Sequence, residues 1–411
     1  MLKSPESRVL LINITGPDKV GVTHSLARIL GSSNARILDI GQAVIHDALT
    51  LGILVELTPE MKSSTLLTDL LLEAHQLGVQ IRYTAVSADE YQKWVDSQTK
   101  GRFLITLLGR DITARHLAEV SGIIVREGLN IDRIDRLSGR TPLTPCNGPS
   151  RVCVELAVSG ELTDEDGMRA SLLRLTEEHE IDIAFQHDNV YRRNRRLIAF
   201  DMDSTLIQTE VIDELAKLAG VGEQVQKITE AAMRGELDFK TSFRKRVSLL
   251  RGLPESALNT VRERVPLMDG AERLTATLRR LGYKMAILSG GFTFVGRELQ
   301  KRLGIDFLHA NELEVRDGVV TGEVCSEIVD GAKKAELLEA IARQENLSLE
   351  QTIAVGDGAN DLPMLRIAGL GIAFRAKPIV RSSARQSISR SGLDGILYLL
   401  GVRDREMAAG C

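Results

Sequence analysis

The segment Leu197–Ile207 reads LIAFDMDSTLI. Four apolar residues run directly into Asp201 and Asp203, with Thr205 close behind. A short apolar run of this kind suits a strand buried on both faces, as in a parallel sheet. A carboxylate is the group such a core excludes. A chain that joins the two must end the strand at a sheet edge, where the charges can be met. Further apolar runs follow in YKMAILS, DFLHAN and TIAVGD, separated by the helix-patterned AERLTATLRRLG, FVGRELQKRLG and KKAELLEAIARQ. This is the pattern of an open α/β sheet, in which ligands bind beyond the carboxyl ends of the strands.

Three of those strand ends carry polar chemistry: Asp201 with Asp203, Ser289-Gly290-Gly291, and Asp357 to Asp361. Each alone has a plainer reading, as a helix cap, a turn or a solvated loop. Together, in this order, they read as one active site. Clustered carboxylates repel each other unless a cation sits among them, and hard oxygen ligands select Mg²⁺. Asp201 and Asp357 are the side chains expected on that metal.

The N-terminal half shows a different rhythm, strand-helix-strand-strand-helix-strand, and shows it twice. RVLLINITG, KVGVTHSLARILGSSN, ARILDIGQAVI, LTLGILVELT, SSTLLTDLLLEAHQLG and VQIRYTAV make the first copy; RFLITLLGR through IDIAFQHD make the second. The βαββαβ order is the ferredoxin-like arrangement, and SSNARILDI and EGLNIDRIDRL hold matching places in the two copies. A chain of 411 residues exceeds one ordinary core. The expected organisation is two small domains at 1–95 and 96–190, then an α/β domain at 191–411, with NVYRRNRR as a short basic linker.

Composition narrows the class. With 43% hydrophobic and 26% charged residues and a net charge of −4, the chain lacks the basic excess of a nucleic-acid binder. Its four cysteines form no CxxC pair, and its histidines lack metal-ligand spacing. No segment resembles a signal peptide or a membrane span. A cytoplasmic protein with neither nucleic-acid nor membrane partners is the expectation.

Two resemblances sharpen the reading. TGPDKVGVTHSLARILGSSNARILDI resembles an ACT domain, a small module that commonly binds amino acids and pairs with copies of itself. Its turn from Gly16 to Gly21, including Asp18, matches that family's turn before the first helix. A helix N-terminus there offers free N–H groups to a carboxylate, whereas on the plainer reading the glycines only shape a tight loop. LGRDITARHL in the second copy lacks the matching glycine, so a ligand is expected more of the first copy. Self-association into a homodimer is expected through these domains.

DMDSTL, LSGGF, a lysine in AKKAELL and VGDGANDLPML together resemble the haloacid dehalogenase superfamily of phosphohydrolases, from Leu197 to about Leu400. Within it the resemblance is to the phosphoserine phosphatases, which implies O-phospho-L-serine as substrate and L-serine as product and possible inhibitor. The resemblance makes Asp201 the nucleophile that forms an aspartyl-phosphate. It makes Asp203 the general acid and base, with its backbone carbonyl on the metal. Ser289 and the N–H of Gly290 would hold phosphoryl oxygens, with Asn360 and Asp361 in support. Attack by an anion on a phosphate needs positive charge nearby, supplied by Mg²⁺ and a lysine. Helical periodicity does not choose between Lys333 and Lys334; the family pattern favours Lys334.

Ser289 and the lysine lie close in sequence, whereas Asp203 and Ser289 are far apart, so a cap must fall at about 207–268. That stretch is helix-patterned, as a water-excluding lid would be. By resemblance, Glu210 there meets the substrate ammonium, Arg246 its carboxylate, and Met233 and Phe239 form apolar walls. On composition alone, Arg246 is one charge of a surface RKR cluster, and Met233 and Phe239 are core residues. Two rival functions remain: a phosphotransferase of the same fold using another hydroxyl as acceptor, and a regulatory amino-acid-binding protein with an inactive phosphatase half.

Overall fold

A computed structural model of the chain describes residues 8–57, 63–97, 101–140, 151–325 and 327–407. It divides into two compact units, Met1–Lys100 and Gly101–Cys411. In the first, strands Arg8–Pro17, Arg36–Ile45, Ala48–Leu57 and Gln80–Val86 alternate with helices Val22–Ser32 and Ser63–Leu77 in the βαββαβ order. The sheet is antiparallel with the second strand at one edge and the fourth at the other. Strand alternation explains the layering: Leu49, Leu51, Ile53, Val55 and Leu57 are buried against the helices, and the residues between them are not. A further helix, Ala88–Ser97, lies beyond the expected elements.

The second unit opens with the second copy: strands Gly101–Gly109, Asn130–Arg136, Val152–Gly160 and Asp182–His187, with helices Ala114–Arg126 and Glu165–His179, in the same spatial order. Residues 141–150, between its second and third strands, lie outside the described residues.

NVYRRNRR is not a free linker. Asn189 caps a short turn by accepting from the N–H groups of Tyr191 and Arg192. Arg192 is buried there, donating to Glu155 of the second copy and to the Leu399 carbonyl of the α/β domain. A buried charge needs such partners, and they pull the segment into the protein rather than leave it in solvent.

The α/β domain is a six-stranded, wholly parallel sheet. Its spatial order is Phe307–Asn311, Lys284–Phe292, Leu197–Phe200, Thr352–Gly356, Leu370–Phe374 and Gln386–Ile388. The last two strands add to the four read from sequence. Leu197–Phe200 is central and fully buried, with apolar clusters on both faces. That is why its run is continuous rather than alternating.

The lid comprises helices Val211–Leu218, Gly222–Met233, Phe239–Ser248 and Glu255–Arg264. It leaves and re-enters through a narrow neck, where Ile207 pairs with Leu267 and the Met268 N–H donates to the Leu206 carbonyl at 2.9 Å. A hairpin that the sequence reading omitted, Leu313–Arg316 with Val319–Val324, braces it. The Gly252 N–H donates to Val320 and the Val320 N–H to Leu253, both at 2.8 Å. Among the described residues no helix is long and apolar enough to cross a membrane.

Candidate active site

The carboxyl edge of the central strand carries the chemistry. The Asp201 N–H still donates to Val355 at 2.9 Å, so the backbone stays in the sheet while the side chain emerges from it. The Asp201 carboxylate accepts from the Met202 N–H at 2.7 Å and lies 2.9 Å from Lys334 Nζ. Lys334 has no exposed surface and also donates to Asp361 at 2.7 Å. Burial alone would lower its pKa, but the Asp201 and Asp361 charges overcome it and hold the ammonium above the ordinary lysine range. Lys333, one residue earlier, turns outward to Glu327 and Glu336. The two lysines left open by periodicity are thus separated by geometry.

Asp201, Asp357 and Asp361 each offer an oxygen within 4.8 Å of the others. Burial chiefly, then the Asp201 and Asp361 charges, push the Asp357 carboxyl up to about 8, although Thr205 Oγ1 donates to it at 3.2 Å. Burial and Asp201 likewise raise Asp361 to about 7, against the pull of Lys334 and the Gly358 N–H. Carboxyls so displaced lack sufficient positive charge, and an all-oxygen set of this kind suits a hard divalent cation.

The Asp203 side chain stands apart from that trio. It accepts from the Val211 N–H at 3.4 Å, at the start of the first lid helix. Burial first, then Glu210 and Asp201, push its pKa well above the ordinary aspartate value. Gly291 makes room for it: a Cβ there would fall 2.6 Å from Asp203 Oδ2 and 2.6 Å from Met202 Cε.

Ser289 is fully buried, with its Oγ accepting from the Gly291 N–H at 2.9 Å. A Cβ on Gly290 would meet the Phe239 ring at 2.8 Å, so this glycine lets the lid close onto the loop. Asn311 was not singled out in the sequence. It is wholly buried, donates to the Gly290 carbonyl at 2.8 Å and accepts from the Val329 N–H at 2.9 Å. It thereby ties the Ser289 loop to the segment before Lys334. The signal was present, since Asn311 ends the DFLHAN strand as Asp201 ends its own. Asn360 is half-buried, its backbone carbonyl so close to Gly331 that a Cβ there would fall 2.6 Å away.

From the lid, Glu210 accepts from Ser204 Oγ at 2.8 Å. Water reaches Glu210 at the open mouth, yet the surrounding protein, and secondarily Asp201, hold its carboxyl above the usual range. Arg246 shares a helix face with Phe239, whose ring stacks 6.1 Å from that of Phe243. Burial depresses the Arg246 pKa, and Glu210, Asp213 and Asp203 act against it. Its Nε is buried without a hydrogen-bond partner. The backbone of Met233 ends the second lid helix; its side chain lies outside the described set.

Gly16, Asp18 and Gly21 belong to the other unit. Gly16 packs against Val79, where a Cβ would come within 2.9 Å. The Asp18 N–H donates to Asp47 at 2.7 Å, and Gly21 precedes its helix with φ +97°. Both glycines have backbone reasons of their own.

Comparison with known proteins identifies the family. A haloacid dehalogenase-like hydrolase model matches residues 198–366, and two ACT-domain models match residues 8–84 and 102–186. The chain is 42% identical over 400 residues to a phosphoserine phosphatase of Streptomyces coelicolor, covering 97% of this chain and 94% of that one. It is 40% identical to one from Mycobacterium tuberculosis, covering 98% and 96%. Among solved structures, an unliganded probable phosphoserine phosphatase from Vibrio cholerae superposes with a TM-score of 0.58 at 36% identity, over 74% of this chain and 88% of that one. A haloacid dehalogenase family hydrolase from Salmonella enterica gives 0.63 at 30%, over 72% and 98%. With tandem ACT domains ahead of a hydrolase domain and matches this complete, the chain belongs to the phosphoserine phosphatase family of haloacid dehalogenase-like hydrolases.

Proposed function

We propose that this enzyme hydrolyses O-phospho-L-serine to L-serine and phosphate, as the last step of a route that makes L-serine. The observation that carries the reading is the fully buried Lys334 held 2.9 Å from Asp201 beneath a lid whose Arg246 keeps an unpartnered Nε. Arg246 would take the substrate carboxylate through its planar fork, and Glu210 the ammonium. Phe239 and Met233 would wall the methylene. Ser289, the Gly290 N–H and Asn360 would hold the phosphoryl oxygens.

In the first step an Asp201 oxygen bonds to phosphorus and the bond from phosphorus to the seryl oxygen breaks. Asp203, whose buried surroundings favour its protonated form, would give its proton to the departing oxygen. In the second, Asp203 takes a proton from water, whose oxygen displaces the Asp201 carboxylate from phosphorus. Lys334, 2.9 Å from Asp201, stands near the charge that develops. Asp201, Asp357 and the Asp203 carbonyl would hold Mg²⁺, which when bound offsets the negative charge shared by nucleophile and phosphate.

The ACT domains would place the enzyme under feedback by L-serine and join two chains as a homodimer. The turn carrying Gly16, Asp18 and Gly21 is the ligand position proposed for the first copy. Exposed Ile40, Val44 and Ile45 on the edge strand Arg36–Ile45 support self-association. The test is phosphate release from O-phospho-L-serine with Mg²⁺ and with EDTA, beside Asp201→Asn. Metal-dependent release that the variant lacks is expected. Release that survives both changes would overturn the mechanism, and transfer to an added alcohol in place of water would make the enzyme a phosphotransferase.

A further inference from the structure

The lid neck is held from behind by the second ACT copy. Beyond the Ile207–Leu267 pairing the chain continues through Met268, Asp269 and Gly270 into the helix Ala271–Arg280. The Asp269 carbonyl accepts from the Leu393 N–H at 2.8 Å. Gly270 adopts φ +82°, and a Cβ there would fall 2.3 Å from Asp394 Oδ1. A Cβ on Gly392 would lie 2.8 Å from the Asp269 carbonyl. The loop 389–394 is therefore pressed against the returning arm of the neck.

That loop is positioned from the ACT copy at two points. Asp182, on its last strand, is 2% exposed. Its carboxylate accepts from three consecutive N–H groups, Ser389 at 2.6 Å, Arg390 at 3.1 Å and Ser391 at 3.0 Å. Asp394, also 2% exposed, takes a charged hydrogen bond from Arg151 at the start of the third strand. From the α/β domain, Arg273 reaches the same carboxylate at the longer distance of 3.5 Å. Glycines without room for a Cβ, consecutive N–H groups on one carboxylate and a buried ion pair make a stiff connection.

We propose that Asp182 and Arg151 are positioning residues for catalysis: through the loop 389–394 they set the neck and hence the seat of the lid over the substrate. The second ACT copy is in this sense a structural member of the active site, whatever the first copy senses. The proposal rests on the reading of Arg246 and Glu210 as substrate contacts. A phosphomonoester with neither ammonium nor carboxylate, such as acetyl phosphate, gives those lid residues nothing to hold. Its turnover uses the phosphoryl-transfer groups, Asp201, Asp203, Lys334, Asp357, Asn360 and the Ser289 loop, but not those two lid contacts.

The experiment compares kcat/KM for O-phospho-L-serine and for acetyl phosphate in the full chain, in Arg151→Met, Asp182→Asn and Arg246→Met, with melting temperatures alongside. Arg246→Met calibrates the split between substrates, and its absence would overturn the lid reading itself. Given that split, Arg151→Met and Asp182→Asn are expected to lose about tenfold on phosphoserine, mostly through KM, and less than twofold on acetyl phosphate. Arg151→Lys, the milder change should Arg151→Met fold poorly, restores part of the loss. Equal losses on both substrates, or none on either, would overturn the inference.

Discussion

Lys334 has no exposed surface, and two carboxylates at 2.7 and 2.9 Å account for its burial. Removing one partner of a buried ion pair typically costs about 3–5 kcal/mol, because the other charge stays buried. Lys334→Met should therefore abolish turnover and also lower the melting temperature, while Lys333→Met, which loses only surface pairs, should do neither. Phosphate release and thermal melts on both variants check this. Gly291→Ala tests the next contact. Its Cβ would displace Asp203 Oδ2, which lies on the reaction path, so kcat is expected to fall at least tenfold, with a smaller change in stability. At this scale the sequence was informative where residue type and strand end coincide, as at Asp201 and Ser289. It was silent where two neighbours share a type. Lys333 and Lys334 differ by one step around a helix, and only the packed structure decides which step faces inward.

The lid shows what periodicity can and cannot reveal among elements. Its helical character was legible from the stripe Val211, Leu215 and Leu218, of which the first two are wholly buried and Leu218 is 48% exposed, whereas its division into four helices was not. The bracing hairpin was missed although EVRDGVVTGEV contains its signal. Asp317 and Gly318 adopt φ +54° and +77°, the backbone that an Asp-Gly hairpin turn supplies. The strands Leu370–Phe374 and Gln386–Ile388 were missed for another reason: Gly371 interrupts the apolar run of the first, and the second has only three residues. Gly322, in the hairpin, has φ +84° and packs on the end of the lid helix Phe239–Ser248, where a Cβ would meet the Ser248 carbonyl at 3.2 Å. Gly322→Val is expected to strain that contact and tilt Arg246, raising KM for O-phospho-L-serine several-fold while kcat falls less. Steady-state kinetics separate the two parameters.

Over the whole molecule the charge of the site enters stability. Asp357 and Asp361 sit at about 8 and 7 in the folded protein, above the ordinary carboxylate value of the unfolded chain. Between about pH 4 and pH 8 the folded form therefore holds protons that the unfolded form has released, and metal-free stability falls as pH rises through that window. A divalent cation reverses the trend, since it binds the ionised carboxylates and displaces their protons. Melting temperatures with EDTA should decline from pH 5 to pH 8, and the increment on adding Mg²⁺ should grow over the same range. A flat profile in both conditions would remove the carboxylate cluster as the metal site. The duplication and the α/β half were legible at this scale, because each is written in repeated apolar periods. The boundary between them was not. The second ACT copy is joined to the hydrolase by single polar residues with no period to read, Asp182, Arg151, Arg192 and Gln386 among them. Gln386 offers its amide oxygen to the Phe185 N–H at 2.9 Å and its amide nitrogen to the Phe185 carbonyl. Leu108, Leu137, Cys153 and Ala184 from that copy also enter the hydrolase core cluster. A cut after residue 100 follows the division between the two compact units, whereas a cut after residue 190 exposes that apolar surface and leaves Arg192 buried without Glu155. The 101–411 protein should therefore melt in one cooperative transition and retain its kcat, and the 191–411 protein should aggregate or melt at least 10 °C lower, of the order expected when several kcal/mol are lost. If the shorter piece instead proves as stable and as active as the longer, the second ACT copy is a detachable module and the brace on the lid neck has no consequence.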